Sequence, residues 1–431
     1  MEQTAPSSPR ARLSPDFWKF WTGQTISQLG SSFTLFATPL LIFKLTHSSV
    51  NLGIATAANF VPYLLFGLVI GAWVDRVDRK RLMIAVDLAR GAVIALIPLL
   101  SVMGLLRVWE IYLIGFVSST CTIFFESSEF AAIPSLVGQE DLVTANGRIQ
   151  ASYSAAQVAG PLLAGLMLAV VKIETVFLVD AVSFVVSAYS LGLVGVSFNR
   201  EQEHRERTSI RSDVAEGLRF VLRHPVLRNI SAMMSLFNFI TVTTFTQLVL
   251  FSKVRLHASD ARVGFLFSAG SAGVVLLGLL AGRIRKKLSF GPAALGSLFV
   301  TGLLTLAFAV NRMYWLALLL WGLNGGLGIF FNINTGSLRQ AIVPNHLLGR
   351  VISIAGVLAW SAIPLGGLLG GFVIQWTGNV ALVYGVIGVL SSLIAVWFFF
   401  LSPLGHAERY LPGGDLAQGV EPAPAPAPVA G

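Results

Sequence analysis

The chain of 431 residues contains one cysteine, Cys121. A single thiol excludes a disulfide framework and any zinc or iron–sulfur centre built on several cysteines. Charge is also scarce: Asp, Glu, Lys and Arg together make 12% of the residues, about half the share of an ordinary soluble domain. The few histidines, His47, His204, His224, His257, His346 and His406, all fall outside the long apolar runs, so no metal site is expected in the lipid-embedded part. Acid is nearly missing from one half of the chain, since between Glu216 and Glu408 the only carboxylate is Asp260. Apolar residues make 55%, and glycine adds 42 more. So few charges cannot cover that much apolar surface in water, and the fold class expected is an all-α integral membrane protein.

A helix crosses the hydrocarbon layer with about 20 apolar residues. Twelve such runs are expected, at 17–43, 50–73, 82–105, 109–132, 150–171, 174–196, 229–252, 262–282, 291–311, 313–334, 350–375 and 380–402. An even count puts both termini on one side. That side then receives 23 of the 30 Lys and Arg residues, with seven opposite. This is the asymmetry of cytoplasmic loops, so both ends are expected in the cytoplasm. Topology therefore accounts for the net charge of +9, and no nucleic-acid partner is needed. The first run is too long for a signal-peptide core, and nothing like a cleavage site follows it.

One long polar stretch divides the runs into two sets of six. The expected organisation is 1–196 as a first six-helix bundle, 197–228 as a linker, 229–402 as a second bundle, and 403–431 as a Pro/Ala-rich tail, expected to be extended and disordered. Within the linker, Asp213 and Glu216 have capping-box spacing, Val214, Leu218, Val221 and Leu222 form one stripe, and Pro225 stops the helix. An amphipathic helix on the cytoplasmic face is expected, a plain linker being the alternative. Landmarks recur between the halves at nearly one offset: LTHSSVNLG at 45–53 with LHASDARVG at 256–264, Pro134 with Pro344, and GPLLAG from Gly160 with GGLLGG from Gly366.

A doubled six-helix unit of this kind resembles the major facilitator superfamily, whose substrate site lies between two halves at mid-membrane. GAWVDRVDRKR, Gly71 to Arg81, resembles its motif A, with Gly71, Asp75 and Arg79 at the motif spacing and Asp78 in place of the second glycine. The resemblance implies a cytoplasmic gating latch built from Gly71, Asp75, Arg76, Arg79 and Lys80, with Arg90 nearby. Gly160, Pro161 and Gly165 resemble the antiporter motif C, although Ala156 replaces its first glycine. FWKFWTGQTISQLGSSF, AAIPSLVGQEDLVTANG, SDVAEGLRFVLRHPVLRN and VPNHLLGRVISI are similar to drug:proton antiporters of the macrolide-efflux and enterobactin-exporter type. No Lys or Arg occurs between Arg107 and Arg148, so the basic residue that the superfamily uses in span four is absent.

Carboxylates inside a membrane are costly and usually functional. The candidates for proton coupling are Glu126, Glu129, Asp180 and Asp87, all in the first half. Glu126 and Glu129 are three apart, hence on one helix face, and suit either proton carriage or a gating salt bridge with Arg79 or Arg90. The spans that line the cavity in this superfamily offer Gln24, Gln28, Phe36, Phe124, Asn238, Gln247, Trp321, Asn324 and Asn332. Aromatics with scattered amides suit a large amphipathic organic molecule and disfavour a phosphate.

The function expected is proton-coupled export of small amphipathic compounds by alternating access. The alternatives are a lysolipid or metabolite transporter of the same fold and, from another class, a polytopic membrane enzyme. The expected setting is a bacterial cytoplasmic membrane. The expected partners are a small-molecule substrate, protons and membrane lipid, for a monomer with no cofactor.

Overall fold

The computed structural model describes residues 13–74, 76–138, 141–199, 210–285 and 288–410. These form helices throughout, with no strand among the described residues. In chain order they are α1 (Pro15–Thr46), α2 (Ser49–Val74), α3 (Arg79–Val102), α4 (Val108–Leu136), α5 (Leu142–Met167), α6 (Ile173–Gly192), α7 (Ile210–Arg223) and α8 (Pro225–Thr246). There follow α9 (Leu248–Val254), α10 (Asp260–Arg285), α11 (Phe290–Val310), α12 (Tyr314–Ile342), α13 (Asn345–Trp360), α14 (Ala362–Thr377), α15 (Val380–Leu401) and a 3₁₀ helix (Pro403–Tyr410). Eleven helical stretches among the described residues are long and apolar enough to cross a membrane. Of the twelve expected runs, the one outside that set is the run in α5, which is 26 residues long but polar in its first half.

Local chemistry sets the boundaries where hydropathy alone places them late. Ser14 accepts a hydrogen bond from the Phe17 N–H and Pro15 occupies the first turn, so α1 starts two residues before its apolar run. Asp78 caps α3 by accepting from the Arg81 N–H at 2.9 Å, and Asn379 caps α15 from the Leu382 N–H at 3.0 Å. Two runs expected to be continuous are divided. One changes helix at Gln247, the other at Ser361, where Pro364 supplies no N–H to bond the carbonyl of Trp360.

The chain forms two compact units, Met1–Glu206 with Thr246–Ser271, and Arg207–Phe245 with Ala272–Gly431. In the first, α1 packs along α5 and α6, α3 along α4 and α6, and α2 along α4. Phe17, Phe20, Met83, Phe125, Leu191 and Phe198 fill part of its interior. The segment Thr246–Ser271 joins this unit through specific contacts. Gln247 Nε2 donates to the Ser49 carbonyl at 2.8 Å, and the hydroxyls of Thr56 and Thr246 are 3.1 Å apart. Asp260 holds Lys44 on one oxygen and Lys253 on the other, each at 2.5 Å.

In the second unit α11 packs along α12 and α15. The 3₁₀ helix closes over α11, where Glu408 accepts from the Phe290 N–H. Helix α7 lies against α13: Leu218 and Val221 pack with Leu347, Val351 and Ile354, and Glu216 pairs with Arg350. Leu222 is 48% exposed and stands off that stripe. Residue Asp213, half of the expected capping box, has no described side chain. After α7, His224 is buried, which lowers its pKa below the usual imidazole range. The neutral ring accepts from the Leu227 N–H through Nδ1.

Candidate functional site

A cavity of about 200 Å³ opens among α1, α4 and α5. Helix α1 contributes Trp21, Gln24 and Gln28, helix α4 contributes Glu126 and Glu129, and helix α5 contributes Ile149, Gln150, Ser152 and Tyr153. This explains why the first half of α5 is polar: side chains that line a wet cavity need no lipid solubility. It also explains why the span expected at 150–171 begins eight residues earlier. Glu126 is exposed to the cavity and Glu129 is half-buried beside it. Neither carboxylate has a hydrogen bond or ion pair among the described residues. The site therefore presents two acids without a direct ion pair, an indole, a phenol and three amides.

Behind the α1 wall a polar chain runs inward. Gln24 Nε2 donates to Ser187 Oγ at 2.9 Å, and Ser187 Oγ donates to Asp87 Oδ2 at 2.6 Å. The other oxygen of Asp87 pairs with Arg90. Asp87 is fully buried and Arg90 is 6% exposed. Arg90 is thus an interior ion-pair partner, in the pairing that the three-residue spacing of Asp87 and Arg90 within span three allows. Its guanidinium lies between two rings, 4.5 Å from the centroid of Phe125 on α4 and 4.4 Å from that of Phe184 on α6. Arg90 Nε has no hydrogen-bond partner, and an unsatisfied buried donor costs about 1–3 kcal/mol.

Asp180 lies in the seam between α6 and α1, 1% exposed, where Ser183 Oγ donates to its carboxylate at 3.3 Å. Of the motif A residues, Asp75 lies outside the described residues, Gly71 falls in the last turn of α2, and Arg76 is exposed in the turn that follows. Arg79 is buried, its Nη1 donating to the carbonyls of Ala131 at 3.2 Å and Phe198 at 3.1 Å, so it braces the start of α3. Lys80 donates to the Val194 carbonyl at 2.5 Å, just past the end of α6.

The motif C residues sit at close helix approaches. A Cβ on Gly160 would meet the Ser32 side chain, and one on Gly165 would lie 3.2 Å from Gly264 Cα on α10. Glycine at these positions lets α5 pack against α1 and α10 with backbone contact.

The remaining cavity candidates separate into distinct environments. Phe36 is fully buried against Phe267, Phe124 stacks edge-on with Trp73, and Gln247 is fully buried on Ser49. Asn238 donates to the Ala359 carbonyl, Asn324 to Thr301 and Thr305. Trp321 packs on Phe308, and Asn332 is exposed on α12. Sequence reasoning missed Trp21 on α1, and it missed Gln150, Ser152 and Tyr153 on α5, whose one available signal was the polar run TANGRIQASYSAAQ in an otherwise apolar span. Among the described residues no group of three or more His, Cys, Asp or Glu side chains could hold a metal ion.

Residues 7–416 match the family model described as transmembrane secretion effector. The chain is 25% identical to macrolide efflux protein A of Streptococcus pyogenes over 361 residues, which is 82% of this chain and 88% of that protein. It is 24% identical to the multidrug efflux pump Tap of Mycolicibacterium fortuitum, over 79% of this chain and 85% of that one. In fold it resembles the nucleoside transporter NupG, with TM-score 0.72 and 13% identity over 89% of this chain and 98% of that structure. A bacterial homologue of the lysosomal transporter Spinster gives TM-score 0.69 and 13% identity, over 95% of this chain and 98% of that structure.

Proposed function

We propose, for a chain that belongs to the transmembrane secretion effector family of major facilitator transporters, that it exports small amphipathic organic cations in exchange for protons. In this reading α5 is the fifth span in order and brings the count to twelve, its polar half turned to the cavity. Two six-helix halves then flank the 197–228 linker, and both termini face the cytoplasm of a bacterial inner membrane. The protein works as a monomer by alternating access. Gly71, Asp75 and Arg76, with the braces at Arg79 and Lys80, bias the conformational equilibrium.

The observation that carries the proposal is the unpaired Glu126–Glu129 couple in a cavity with Trp21 and Tyr153. Two adjacent carboxylates repel one another when both are charged, so the pair favours uptake of a proton or a cationic ligand. The rings accept the apolar body of that ligand and offer cation–π faces to its ammonium. Binding of one cation, proton or substrate, weakens binding of the other, and that competition is the elementary requirement of antiport. Asn238, Trp321, Asn324 and Asn332 remain proposed substrate contacts of the second half. The named activities of the macrolide and multidrug efflux relatives support this substrate class.

A growth-inhibition panel in a pump-deficient bacterial host tests it. Expression raises the inhibitory concentration of lipophilic amines, including macrolides that carry a tertiary amine, several-fold, and leaves that of anionic amphiphiles unchanged. Equal protection against both classes, or none, contradicts the proposal.

A further inference from the structure

We infer that Arg90 is a counter-charge shared between Asp87, its present partner, and Glu129, so that the cavity acids and the buried α3–α6 network exchange one cation. This rests on the proposed function, in which Glu126 and Glu129 form the exchange site.

The geometry begins on α4. The Arg90 guanidinium lies on the ring of Phe125, and Glu129 is four residues further along the same helix. Side chains four apart stand one above the other on one helical face, with Cβ atoms about 5–6 Å apart. Glu129 is therefore one turn from the ring that Arg90 covers, while Glu126 is turned about 100° from Phe125, toward the cavity. Arg90 makes less of its fork than a buried guanidinium usually does, since its Nε finds no acceptor. An under-bonded buried cation thus lies within reach of an unpaired carboxylate.

The titratable groups within electrostatic reach of Arg90 are Asp87 on α3, Tyr63 on α2, Cys121, Glu126 and Glu129 on α4, and Asp180 on α6. Asp87 and Asp180 already hold hydrogen bonds from Ser187 and Ser183. The two glutamates hold none, and Glu129 shares the Arg90-facing side of α4.

Arg90 is in this account a positioning residue. When Glu129 is protonated or a ligand cation occupies the cavity, Arg90 rests on Asp87. When the site empties and Glu129 is charged, the guanidinium leans toward Glu129, and Asp87 turns more fully to Ser187. Gln24 lines the cavity and also bonds Ser187, so cavity occupancy reaches the same chain from the other end.

The test uses ethidium, an aromatic quaternary cation that does not itself titrate, so that pH acts on the protein alone. Ethidium efflux from proteoliposomes and ethidium binding in detergent are both followed against pH for the full chain and its variants. Arg90→Met is expected to move the inflection of both profiles to higher pH by about one unit, because a neighbouring cation favours a charged carboxylate. Arg90→Lys is expected to keep most of the original profile. In a Glu129→Gln background, Arg90→Met is expected to add no further shift, since the interaction it removes is already gone. Should Arg90→Met fail to insert, the Asp87→Asn/Arg90→Met double variant replaces it in the same cycle. An equal Arg90 shift with and without Glu129, or no shift in either, overturns the shared counter-charge. Wild-type efflux that ignores a pH gradient overturns the proposed antiport instead, and the binding profiles then decide the Arg90–Glu129 coupling on their own.

Discussion

Glu126→Gln is expected to reduce pH-driven efflux of a cationic substrate to the level of empty liposomes while leaving substrate binding detectable. Glutamine preserves the size and most of the polarity of Glu126 but cannot take up or release a proton. Of the two acids, Glu126 is the more open to the cavity, so it meets both solvent and ligand first. Glu129→Gln is expected to slow efflux less, because the half-buried Glu129 acts through its neighbours. Proteoliposomes under an imposed pH gradient read the effect directly, with Asp180→Asn as the rival variant. Asp180 is sealed in the α1–α6 seam and hydrogen-bonded, so its loss is expected to lower the amount of folded protein more than the rate per molecule. If Glu126→Gln still concentrates substrate and Asp180→Asn does not, proton carriage belongs to α6.

Asp87→Asn is expected to have the largest effect on stability. It leaves the Arg90 charge buried without its ion partner, and breaking one side of a buried pair costs about 3–5 kcal/mol. The two flanking rings cannot replace the lost carboxylate, because a cation–π contact contributes only about 2 kcal/mol when desolvated. Thermal melting in detergent is therefore expected to show a marked drop, with less protein recovered from the membrane. Asp87→Asn/Arg90→Met removes both charges and is expected to recover most of the melting temperature, because neutralising a buried pair leaves no orphan. The same double variant is expected to keep its efflux inflection displaced to higher pH, as Arg90→Met does, since the counter-charge is gone. Recovery of stability together with the original pH profile would make the pair a purely structural feature.

Much of the helical frame was legible because lipid imposes a simple rule on sequence. Runs of about 20 apolar residues mark spans, and eleven stretches of the described chain satisfy it. The rule weakened where a helix serves water as well as lipid. The Thr144–Gln157 part of α5 is too polar to register, and its helix was placed eight residues late. Capping chemistry at Ser14 and Asp78 would have corrected the starts of α1 and α3, but hydropathy does not see it. Glu126 and Glu129 stood out in the sequence because acids are rare there and three-residue spacing puts both on one face. Their companions did not. Trp21 and Tyr153 resemble any aromatic of a membrane helix until α1 and α5 are packed together, and Ser187 resembles any small residue of an apolar helix. The Asp87–Arg90 pairing was legible from its three-residue spacing within span three, but its ring sandwich was not, because Phe125 and Phe184 come from distant helices.

The most direct measurement of the central claim is proton movement caused by substrate. Purified protein is reconstituted in liposomes that enclose a pH-sensitive dye, and ethidium is added outside with no imposed pH gradient. Antiport requires that the inward ethidium gradient drive protons out, so the lumen is expected to become alkaline, and Glu126→Gln liposomes are expected to show no such change. Ethidium entry through the wild-type protein with no change in lumenal pH would contradict proton exchange.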